Sequence, residues 1–61
     1  MQYDEVEDLQ AKIRQLRDEL KIHGEEVDDP NCSVLCETSA EVLAGLDVAF
    51  DNYLNKNVAR T

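Results

Sequence analysis

Val6-Glu7-Asp8-Leu9-Gln10-Ala11-Lys12-Ile13-Arg14-Gln15-Leu16-Arg17-Asp18-Glu19-Leu20 is the stretch that decides the fold. Its apolar residues Val6, Leu9, Ile13, Leu16 and Leu20 recur at alternating steps of three and four, the spacing that lines one face of an α-helix. Such a seam must be covered by a second helix, from the same chain or from another. The helix-favouring pattern continues on both sides, from about residue 3 to residue 23, with no glycine or proline inside it. Asp4, Glu5, Glu7 and Asp8 suit the positive end of its dipole, and Lys21 and His23 suit the negative end. Asp8 to Lys12 and Arg14 to Asp18 are spaced for ion pairs along a solvated face. Gly24 reads as the stop, in the left-handed conformation that glycine adopts at helix ends.

An acidic connection follows over residues 24–37, containing Glu25, Glu26, Asp28, Asp29 and Pro30. Two start signals compete within and after it. Asp29 before Pro30 resembles an N-cap with proline in the first helical position, whereas Thr38-Ser39-Ala40-Glu41 has the form of a capping box. The expectation is a short helical turn near residues 31–36 and then a main helix from about 39 to 56, with residues 57–61 frayed. Val42, Leu43, Leu46, Phe50, Tyr53 and Leu54 give that helix its stripe. Gly45, beside Ala44 and Ala49, suggests close approach of another helix.

Two helices joined by a turn make an all-α antiparallel hairpin, one domain spanning residues 1–61. A chain of 61 residues buries only about 60% of its unfolded surface, so help from outside is expected. Pairing of two hairpins into a four-helix bundle supplies it, and a homodimer is the expected state. The interface is expected at Val6, Leu9, Ile13, Leu16, Leu20, Leu43, Leu46, Phe50 and Tyr53. A parallel in-register zipper is disfavoured because it sets Lys12 against Arg17.

The chain has 14 acidic and 6 basic residues and a net charge of −8. That field repels phosphate backbones and anionic lipid, so neither a nucleic acid nor a membrane is an expected partner, and a protein with a basic patch is. No apolar run long enough to span a bilayer and no basic-then-apolar leader is present, which makes the cytoplasm the expected location. There, Cys32 and Cys36 stay reduced and serve packing. With His23 they are the soft metal ligands of the chain, but structural zinc wants four, and Asp28 or a second chain would have to complete the set. No metal and no cofactor are therefore expected. No phosphate-binding loop, nucleophile elbow or His-Glu-x-x-His pattern occurs, and an enzyme is the less favoured reading.

Ile13, Leu16-Arg17, Leu20, Asp29-Pro30, Leu46-Asp47 and Tyr53 occur in the order in which their counterparts stand in the stage-zero sporulation aspartyl-phosphate phosphatases. The chain resembles that family of acidic helical hairpins over most of its length. The family's Ser-Gln-Glu-Leu-Asp segment corresponds by register to Leu43-Ala44-Gly45-Leu46-Asp47, which keeps the last two residues, whereas an alignment on Ser39-Ala40-Glu41-Val42-Leu43 keeps the serine and loses the aspartate. The resemblance implies a phosphatase acting on a response regulator, with Asp47 as its aspartate. The reading from the residues alone is a small acidic interaction module that regulates or assembles a partner protein.

Overall fold

The computed structural model describes residues 2–59. Two helices account for all but three of them: α1, Gln2–Glu26, and α2, Pro30–Ala59, joined by residues 27–29. At 1.5 Å per residue their 25 and 30 residues span about 37 and 45 Å. They pack antiparallel into a slab of 49 × 16 × 11 Å. The short dimension is the thickness of one helix, so the hairpin is a single layer.

The connection is shorter than the sequence suggests, for two local reasons. At its far end the Asp29-Pro30 signal prevails over the capping box. Asp29 Oδ1 accepts a hydrogen bond from the Asn31 amide at 3.0 Å, and Ser33 N donates to the Asp29 carbonyl at 2.9 Å as the first helical bond. Asp29 is thus the N-cap, with Pro30 at the position where a missing N–H costs nothing. Helix then runs unbroken through Cys32, Cys36 and Thr38, because Cys36 and Ala40 are buried against α1 and hold those turns in register.

At the near end Gly24 does not terminate α1, and no residue among those described has positive φ. The helix continues to Glu26, and Val27 N donates to the His23 carbonyl at 3.0 Å. The reason for glycine is proximity: a Cβ at Gly24 would lie 3.1 Å from the Cys36 Cβ. Ser33 Oγ donates to the Gly24 carbonyl at 3.2 Å, which supplies a partner for one of the final carbonyls of α1. The close approach expected at Gly45 is found here instead. Within the hairpin nothing lies within 4 Å of a Cβ built at Gly45. At the other end, residues 57–59 are helical, and Arg60 and Thr61 of the expected frayed tail lie outside the described residues.

The contact between the helices also differs from the apolar seam. Tyr3, Val6, Gln10, Ile13, Arg17, Leu20 and Gly24 are the buried or half-buried positions of α1 whose side chains are described, and Val27 just beyond it continues the row. They keep the alternating three-four step, but the stripe passes through Gln10 and Arg17 where apolarity alone selects Leu9 and Leu16. Leu9 is 51% exposed and Leu16 48%, whereas Gln10 is 5% exposed. On α2 the matching stripe is Cys36, Ala40, Leu43, Asp47, Phe50 and Leu54. Among the described residues the buried apolar side chains are Cys36 and Ala40, both small. No helix among the described residues is long and apolar enough to cross a membrane.

Candidate functional site

Three features could carry function: a polar network in the middle of the hairpin, a thiol–imidazole cluster at its closed end, and an apolar face along one side.

Asp47 is the centre of the network. Its Oδ1 accepts hydrogen bonds from Gln10 Nε2 at 2.8 Å and Arg14 Nε at 2.8 Å, and its Oδ2 accepts from Arg17 Nη1 at 3.2 Å. Asp51 Oδ1 takes Gln10 Nε2 at 2.6 Å and Arg14 Nη2 at 3.3 Å. Gln10 Nε2 also donates to the Asp47 carbonyl at 3.2 Å. All its acceptors are oxygens, which fixes the orientation of the amide. Two guanidinium and two carboxylate groups balance in charge, and no buried side-chain polar atom among the described residues lacks a partner. Arg14, which sequence spacing assigns to Asp18, instead reaches across to the other helix; Arg17 pairs with Asp18 at 3.2 Å.

The Asp47 side chain is only 14% exposed. Burial by itself pushes its pKa up, but the hydrogen bonds from Gln10 and Arg14 and the charges of Arg14 and Arg17 together hold it below its ordinary 3.8. A depressed native pKa contributes stability that is present above 3.8 and lost as pH falls through the native value. Thermal stability should therefore decline on acidification below about pH 4. Asp47→Asn should lower the melting temperature at pH 7 and flatten that acid limb. Melting curves from pH 2 to 7 decide the point, and an unchanged acid limb in the variant would show that Asp47 does not anchor the pairing.

At the closed end, the last turn of α1 brings His23 over the first turns of α2. His23, Cys32 and Cys36 each offer a ligand atom, and these atoms all lie within 4.8 Å of one another. Cys36 is buried, Cys32 half-buried and His23 exposed. Burial pushes the Cys36 thiol above its ordinary 9.0, and a hydrogen bond with Cys32 and the charge of that neighbour add to the effect. Both cysteines are free thiols. Asp28, named from sequence as a possible fourth ligand, is not part of the cluster.

The residues expected at an interface divide into two groups. Val6, Ile13, Leu20, Leu43 and Phe50 are half-buried between the helices. Leu9, Leu16, Leu46 and Tyr53 are between 38% and 51% exposed. Leu9 shares an apolar groove with Val6, Ala49, Phe50 and Tyr53, so its side of α1 adjoins the stripe Leu35, Val42, Leu46, Ala49 and Tyr53 of α2. Leu16, two turns from Leu9, lies on the same side. Tyr3 and Tyr53 meet at the open end, ring centroids 6.4 Å apart. The opposite side carries the charged residues Arg14, Lys21, Glu37 and Asp51, beside a groove that Leu20, Ala40 and Ala44 help to line.

Sequence reasoning named Asp47 and the four exposed apolar residues but missed Gln10, Arg14, Arg17 and Asp51 as a group. The available signal was their spacing, since Gln10, Arg14 and Arg17 share one helix face and Asp47 and Asp51 share another. Comparison of the chain with protein-family models, with curated proteins and with solved structures gives no match.

Proposed function

We propose that the chain is a non-enzymatic helical-hairpin module that pairs with a second copy through its apolar face, forming a four-helix bundle, and that the bundle engages a basic patch on a protein partner. One observation carries the reading: a single hairpin leaves a row of large apolar side chains outside the contact between its helices. Inside, the buried apolar side chains are Cys36 and Ala40; outside, Leu9, Leu16, Leu35, Val42, Leu46 and Tyr53 remain 38% to 63% exposed on one side. A contiguous patch of that composition measures on the order of several hundred Å², the size at which exposed apolar surface marks an interaction site. A slab 11 Å thick has one layer, and a hydrophobic core needs two. A second copy supplies the missing layer with the same apolar side chains, related by a two-fold axis.

Asp47 supports this reading over the phosphatase that the sequence resemblance implies. A carboxylate that serves phosphate chemistry must present an oxygen to water or substrate. Here Gln10, Arg14 and Arg17 of the same molecule take three of the roughly four acceptor positions of the carboxylate, a role that fixes helix register.

The acids give the two associations opposite salt dependence. Chains of net charge −8 repel, so self-association through an apolar face should tighten as salt rises. A partner with a basic patch would be steered by Glu25, Glu26, Asp28 and Asp29, all exposed at the closed end. Its on-rate should fall with salt and when these four are replaced by their amides. Light scattering and stopped-flow binding at low and high salt test both signs. A partner on-rate indifferent to salt and to the amides would remove the steering role.

A further inference from the structure

The cluster at the closed end has a chemistry that neither the apolar face nor the polar network requires. Cys32 and Cys36 stand one helical turn apart near the start of α2, and His23 comes from the last turn of α1. Packing accounts for Cys36, which is buried against Gly24. It does not account for His23, an exposed imidazole with a ligand nitrogen within 4.8 Å of both sulfurs.

We propose that the closed end of the hairpin is a binding site for a thiophilic divalent cation, Zn2+ foremost, held by one imidazole nitrogen of His23 and the Sγ atoms of Cys32 and Cys36. Two thiolates and an imidazole are a recurrent zinc donor set, with solvent in the fourth tetrahedral position. Bond lengths of about 2.0 Å to nitrogen and 2.3 Å to sulfur place such ligand atoms roughly 3.5–3.8 Å from one another. Closing from a separation of at most 4.8 Å takes a shift of about 1 Å, which side-chain rotation supplies for the half-buried Cys32 and the exposed His23. Softness selects the metal: sulfur and imidazole donors favour zinc over magnesium or calcium, which take oxygen ligands.

The fold prepares the site. The three-residue connection brings the helix ends together, Asp29 caps α2 at its first turn, and Gly24 admits Cys36 close to α1. The ligands come from both helices, so a bound ion pins the hairpin at this end. Both thiols lose their protons to the medium when the two Zn–S bonds form, and the proton and charge balance is complete without a redox partner.

The test uses the full chain, kept reduced. Zn2+ should bind at one ion per chain, with release of about two protons at neutral pH. Co2+ in its place should give the thiolate charge-transfer absorption and the intense visible bands of a tetrahedral site. At a hundredfold excess over Kd, zinc should raise the melting temperature by about 10–20 °C. His23→Gln and Cys32→Ser should each weaken binding at least roughly tenfold and dim the cobalt spectrum, while Asp28→Asn should do neither. Cys36→Ser alters a buried residue and can unfold the chain, so the two outer variants carry the test. Undetectable zinc binding, an octahedral cobalt spectrum without charge transfer, or full affinity in His23→Gln would each overturn the site. The last two results would assign any bound metal to surface carboxylates or to the thiols alone.

Discussion

Leu16→Asp is expected to convert the proposed dimer to single chains, which lose helix because a lone hairpin of this size is marginal, although the substitution itself barely touches the contact between the two helices. Leu16 is 48% exposed on α1 and lies outside the buried stripe that faces α2. Within one hairpin a charge there meets water, and a surface change of that kind is worth about 0.5 kcal/mol or less. In a two-fold bundle the same carboxylate is buried once per chain, without a partner. An unpaired buried charge costs about 3–5 kcal/mol, and every 1.4 kcal/mol is tenfold in affinity. The dimer dissociation constant should therefore rise by at least roughly a hundredfold. Leu46→Asp, on the facing stripe of α2, should act the same way. Ile22→Asp is the control: Ile22 is 57% exposed but points away from both the seam and the apolar face, and its substitution should not change the mass of the particle. Equal loss in all three variants would mean that added negative charge, rather than the face, governs association.

Ile13→Asp is expected to do something different, which is to unfold the chain at every concentration. Ile13 sits half-buried between Gln10 and Arg17 in the seam, opposite α2. An aspartate there would lose the aliphatic contact and place an unpartnered carboxylate in the seam. The expected cost of about 3 kcal/mol or more is comparable with the whole core contribution of a domain this small, about 3–5 kcal/mol. Circular dichroism at low and high protein concentration separates the cases. Leu16→Asp should recover helix as concentration rises or as salt screens the charge, and Ile13→Asp should not. A folded Ile13→Asp with normal helicity would contradict the antiparallel register.

These two substitutions isolate the point at which the sequence ceases to determine the packing. The helical class was legible because Val6, Ile13 and Leu20 repeat every seven residues without interruption. Both possible seams contain those three. Apolarity completes the set with Leu9 and Leu16, while the folded hairpin completes it with Gln10 and Arg17. What selects between them is Asp47 and Asp51, thirty or more residues away in the chain, and local periodicity carries no such information. Arg17 and Gln10 leave the surface because acceptors wait for them on α2, and the displaced leucines stay exposed.

The closed end shows the same division between local and non-local signals. The chemistry of Asp29 and Pro30 is local and legible, and so is that of Thr38 and Glu41. Burial of Cys36 and Ala40 on α1 makes the helix continuous and leaves the second signal unused. Gly24 is ambiguous for a related reason. A glycine after a helical run fits both a stop and a close approach, and only the neighbouring Cys36 distinguishes them. The convergence of His23 with Cys32 and Cys36 depends on a connection of three residues. A long connection ending near residue 38 would have left the imidazole far from the thiols. The soft ligands were therefore readable from composition, and their meeting was not.

Whether a second copy covers the apolar face is decided by sedimentation equilibrium of the purified chain between about 1 and 100 μM, a range set against the micromolar affinities of modest interfaces. A particle of twice the 6.9 kDa chain mass is expected, dissociating on dilution with a parallel fall in helicity and melting temperature. A monomer that keeps full helicity and a concentration-independent melting temperature across that range would contradict that pairing.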